Sequence, residues 1–151
     1  MKRAILLFLA LASIALAQPA IYTAYDSGTL STQATTLTVQ HTAGSVKNAT
    51  IVGVYVECAS CSVQLSRSGT AATTTITATA PQSKATANSE AQAYKSSNVG
   101  AGTNLGQPYA ITTWRSIPVS TVLARGVADN FSVAIASTSG AYAILVQYTE
   151  N

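Results

Sequence analysis

A chain of 151 residues suffices for one domain with a core of its own and is too short for two. Of eight Lys and Arg, Lys2 and Arg3 sit in an N-terminal leader, which leaves six bases against five acids, so the sequence pI of about 9.0 overstates the basicity of the rest. There is no run of like charge, which argues against nucleic-acid binding through phosphate neutralisation, and the low ionic content favours self-association.

Met1-Lys2-Arg3, the apolar run Ala4 to Leu16 and the A-x-A site ending at Ala17 form the pattern of a secretory signal peptide over residues 1–17. Residues 18–151 are then the exported domain, secreted or held at the cell surface or in a periplasm, with no membrane segment after cleavage. Ile21–Tyr25 is a short strand that Asp26-Ser27-Gly28 should end, and Ala34 to His41 is a second, with Leu37 and Val39 opposite Thr36, Thr38 and Gln40.

The central stretch is Ile51 to Arg67, which holds the longest apolar run after the leader. Its first half is rich in β-branched residues, and its second half alternates Cys61, Val63 and Leu65 with Ser62, Gln64 and Ser66. Cys58-Ala59-Ser60-Cys61 between them reads as a β-hairpin with a pinned turn. Ala72 to Ala80 is a Thr-rich, half-exposed strand, and Ala85 to Tyr94 a weaker one. Lys95 to Gln107 reads as a long surface loop.

Pattern returns over Tyr109 to Arg115 and Val119 to Leu123. In Asn130 to Ala136, Phe131, Val133 and Ile135 share one face; after Ser137–Gly140, Tyr142, Ile144, Val146 and Tyr148 do the same. No stretch of the exported part holds a 3.6-residue apolar period. Roughly eight or nine short strands with turns between them imply an all-β antiparallel sandwich of jelly-roll type.

Chemistry-bearing residues are few. Cys58 and Cys61 suit a redox pair, half a metal site or a structural disulfide; an oxidising compartment and an even cysteine count favour the disulfide. His41 is the sole imidazole, with no nucleophile elbow for a hydrolytic triad, and Asp129-Asn130 is a thin basis for calcium. The expectation is a non-enzyme with no metal and no cofactor. Tyr142 and Tyr148 fall on the apolar face of the last strand and belong to the core, whereas Trp114 and Tyr109, beside the Lys95–Gln107 loop, suit an exposed platform for sugar rings.

Ile51–Val56, Val63 to Arg67 leading into Ala71–Thr79, the aromatic-proline region Trp114 to Pro118, and the ending Phe131-Ser132-Val133 … Ser139-Gly140 … Val146 to Glu150 together form a strand pattern. This pattern resembles small β-sandwich proteins of tailed phages and prophages. The resemblance implies a non-enzymatic virion-type or assembly component, with no catalytic residues to carry over. The leader departs from that group and favours a secreted or surface relative.

The leading expectation is thus a structural protein acting through self-association, a virion-like or surface-filament subunit. Ile21, Tyr22 and Tyr25 would form its donor strand, freed by leader cleavage, and the partner would be further copies of the chain. The alternative is a carbohydrate-binding or adhesive module that places Tyr109 and Trp114 against a surface glycan.

Overall fold

The computed structural model describes residues 19–31, 35–67, 74–76, 89–96, 102–136 and 139–151. The expected leader, most of the Thr-rich stretch and the middle of the Lys95–Gln107 segment lie outside these residues. In chain order the strands are β1 (Ile21–Ser31), β2 (Thr35–His41), β3 (Ala49–Cys58), β4 (Cys61–Arg67), β5 (Thr74–Ile76) and β6 (Gln92–Ser96). They continue with β7 (Thr103–Asn104), β8 (Tyr109–Ile111), β9 (Arg115–Ile117), β10 (Thr121–Leu123), β11 (Asp129–Ala136) and β12 (Ser139–Glu150).

Two antiparallel sheets pack face to face. Sheet A runs β1-β12-β3-β10, with β9 also on β3; sheet B runs β5-β6-β2-β11-β4-β7, with β8 also on β4. The chain changes sheet at β1–β2, β2–β3, β3–β4, β8–β9, β10–β11 and β11–β12. With β7/β8 and β9/β10 each counted as one broken strand, this is the winding of a jelly roll, and β5 and β6 extend sheet B beyond β2. The expected all-β sandwich is the observed fold.

Period-two alternation builds the core. Phe131, Val133 and Ile135 from β11 meet Ile144, Val146 and Tyr148 from β12, and Leu37, Val39, Ile51, Val54, Val56, Val63 and Leu65 fill the space between. Tyr22 stacks on Tyr148 with ring centroids 5.4 Å apart. Tyr142 and Tyr148 are core residues, and each hydroxyl is satisfied: Tyr142 donates to Asp26 Oδ2 at 2.7 Å, and Tyr148 lies 2.9 Å from Ser89 Oγ.

Several expectations are corrected. The central hairpin is not one: β3 lies in sheet A and β4 in sheet B, so Ala59-Ser60 carries the chain from one layer to the other. A tight hairpin turn needs positive φ, which Asn and Gly supply and Ala-Ser does not. Cys58 and Cys61 both face inward and form a disulfide with a Cα–Cα distance of 6.2 Å, which ties the layers at that end. Asp26-Ser27-Gly28 does not end β1. The long β12 offers ladder partners through Ser139, and the Asp26 carboxylate takes hydrogen bonds from Tyr142 and from Lys95 Nζ at 2.8 Å.

Thr36 and Thr38 of β2 are buried, and Thr38 Oγ1 pairs with Ser132 Oγ of the neighbouring β11 at 2.9 Å. The patterned stretch Tyr109 to Arg115 is broken at Thr112–Trp114, where the chain steps from β8 in sheet B to β9 in sheet A. Lys95 lies in β6 and Thr103–Asn104 in β7, so the Lys95–Gln107 segment is not wholly loop.

Candidate ligand groove on the outer face of sheet A

The outward residues of sheet A line up in rows fixed by register. Tyr25 of β1 stands opposite Leu145 of β12, which stands opposite Tyr55 of β3. The next row is Ser27, Ala143 and Glu57. One strand, β12, separates Tyr25 from Tyr55, so the two lie two interstrand spacings apart, about 10 Å of backbone. Leu145 and Ala143 form a low floor between them.

Trp114 completes one wall. The β8–β9 corner places it outside both strands, 60% exposed, and its ring stacks on Tyr55 with centroids 5.6 Å apart and planes 26° from parallel. The Tyr55 ring packs over Gly53. A Cβ at that position would sit 3.0 Å from the Tyr55 ring and 3.3 Å from Gln147 Oε1. The register slips between Gln147 and Tyr148, which turns both Val52 and Gly53 to the outer side. Tyr25, 54% exposed, forms the opposite wall.

The resulting groove has two adjoining lobes. One, about 350 Å³, lies between Tyr25 and the Tyr55–Trp114 pair over Leu145; the other, about 520 Å³, runs past Ser27, Thr112 and Thr113 toward the disulfide-tied end. Both are lined by Tyr25, Glu57, Trp114 and Ala143. Such a groove offers aromatic faces for stacking, with hydroxyls, an amide and a carboxylate for hydrogen bonds.

The structure separates the expected platform pair. Trp114 is in the groove, but Tyr109 is on β8 at the edge of sheet B, half-buried, with the Arg115 guanidinium 5.6 Å over its ring. Tyr25 and Tyr55 take its place, and sequence reasoning missed both as ligand residues. Their signal was phase: Tyr25 alternates against the buried Tyr22 and Ala24, and Tyr55 against Val54 and Val56. Of the expected donor strand, Ile21 is exposed and Tyr22 is in the core; the strand is already paired within its own chain along its whole length.

Other polar groups are structural. Arg67 binds Asp129 at 2.6 Å, and Glu150 Oε1 accepts from Ser89 Oγ and the Ala91 amide, each at 2.7 Å. The hydrogen bond to Asp26, then that of Tyr142, raises the Lys95 pKa. His41 is fully buried, and neither ring nitrogen has a hydrogen-bond partner among the described residues. Among the described residues no three His, Cys, Asp or Glu side chains come together as a metal site. No protein-family model, curated protein or solved structure matches the chain.

Proposed function

We propose that this domain is a non-catalytic glycan-binding module, exported under its leader, that lays sugar rings in the groove on the outer face of sheet A. The observation that carries this reading is the stacked Trp114–Tyr55 pair facing Tyr25 across a floor of small and aliphatic side chains. Pyranose rings present apolar C–H faces to aromatic planes and direct their hydroxyls sideways, where Ser27, Thr112, Thr113, Glu57 and Gln147 stand. The platform rather than the donor strand now leads, because a strand already laddered to β12 is not free to be given away.

The test is a glycan array followed by calorimetric titration. Trp114→Ala should weaken binding roughly tenfold or more, since a stacking contact of this kind contributes about 1–3 kcal/mol. The exposed position of Trp114 means that the fold should survive the change. A wild-type protein that binds no glycan removes the proposal.

Self-association keeps one observation in its favour. Among the described residues β1 pairs with β12 alone, which leaves an eleven-residue edge open to a second copy. In this form the copies meet edge to edge and neither donates its strand. Sedimentation that stays monomeric up to high concentration would rule it out.

A further inference from the structure

We infer that the groove selects an amine-bearing sugar, a glucosamine-type oligosaccharide, through the carboxylate of Glu57; this rests on the glycan reading above. Glu57 is exposed, lines both lobes and stands in the row next to the Tyr55 and Tyr25 rings. It is the only Asp, Glu, Lys or Arg among the lining residues.

Nearby charges point elsewhere. Arg115, next to Trp114, lies over the Tyr109 ring, and its Nη1 donates to the Ala110 carbonyl at 3.5 Å. Asp26, between the groove residues Tyr25 and Ser27, faces the core and is ion-paired to Lys95 at 2.8 Å. The ion pairs among the described residues do not include Glu57.

A carboxylate without an ion pair among the described residues, beside the rings of Tyr25, Tyr55 and Trp114, attracts a cation twice over, by direct charge and by the negative ring faces. It repels uronic acids and adds little for neutral sugars. The ligand is a sugar rather than a bare ammonium ion because the lobe beyond Glu57 is lined by the hydroxyls of Ser27, Thr112 and Thr113. Those groups match ring hydroxyls and would have no partner on a choline-like cation.

The experiment titrates the protein with three oligosaccharides of equal length: a β-1,4-glucosamine oligomer, its fully N-acetylated form and a β-1,4-glucose oligomer. A mildly acidic, low-salt buffer keeps the sugar amine protonated. The glucosamine oligomer should bind roughly five- to tenfold more tightly than the other two, and added salt should narrow the gap. Glu57→Gln should bring the three affinities to within about twofold of one another. Arg125→Gln, an exposed charge change in the β10–β11 turn, should leave the preference intact. Equal binding of all three oligomers by the wild type, or a preference that survives Glu57→Gln, overturns the inference while the glycan reading stands. No binding of any oligomer, together with a blank array, overturns both.

Discussion

The Tyr148 ring is buried between the sheets against Tyr22, with its hydroxyl 2.9 Å from Ser89 Oγ, and burial pushes its pKa up to about 12 from the ordinary 10. The Ser89 hydrogen bond pulls the other way and only partly offsets the burial. A pKa raised in the folded state means stabilisation that is complete below pH 10 and lost as pH climbs through about 12. The loss amounts to roughly 2–3 kcal/mol over that window. Tyr148→Phe should flatten this alkaline decline in urea midpoints measured against pH, at the cost of a lower neutral-pH stability. An equally steep decline in the variant would assign the effect to other groups.

Among the elements, the β3–β4 step and β1 give the sharpest expectations. The disulfide encloses only the Ala59-Ser60 step, so the chain entropy that it removes from the unfolded state is small, about 2 kcal/mol. Cys58→Ala/Cys61→Ala should therefore lower the urea midpoint modestly and leave the strand content in circular dichroism intact; failure to fold would mean that the tie does more than restrict the unfolded chain. Truncation of β1 should be far worse. Removing residues 18–25 takes Tyr22 and Ala24 from the core, together with the Tyr22–Tyr148 stack. The prediction is loss of cooperative unfolding, because several kcal/mol of burial disappear and β12 acquires an open edge. A truncated chain that keeps the wild-type midpoint would show β1 to be dispensable.

For the whole molecule, the two sheets share a single layer of side chains, so neither has a core apart from the other. Phe131→Ala, at the centre of sheet B, should cost about 3–5 kcal/mol. Amide protection should then fall together in both sheets. Selective loss in sheet B alone, read by hydrogen exchange, would mean that the layers unfold separately. The layers are also linked by a polar contact at their margin, Lys95 of β6 to Asp26 of β1, while Lys47 in the β2–β3 connection reaches Glu150 of β12 at 3.9 Å. The Lys95 pair is half-exposed, so it adds little beyond the packing beneath it.

Much of this architecture was legible before any coordinates. The inward sets Phe131-Val133-Ile135 and Tyr142-Ile144-Val146-Tyr148 follow from alternation along one strand, a local property that any window of the chain displays. The sandwich itself follows from many such windows separated by turn residues, and the cysteine pair from an even cysteine count. Three things were decided only when the ladders assembled. β3 and β4 went to opposite sheets, although the alternation within each strand, the Ala59-Ser60 step apart, fits a hairpin equally well. Asp26-Ser27-Gly28 stayed in strand, because Tyr142 and Lys95 satisfied a carboxylate that alone would favour a turn. Tyr25, Tyr55 and Trp114 came onto one face from three separate segments, while Tyr109 went to the other sheet. Alternation says which side of its own strand a residue occupies. Which residues then become neighbours depends on register and strand order, and those are set by packing both sheets at once.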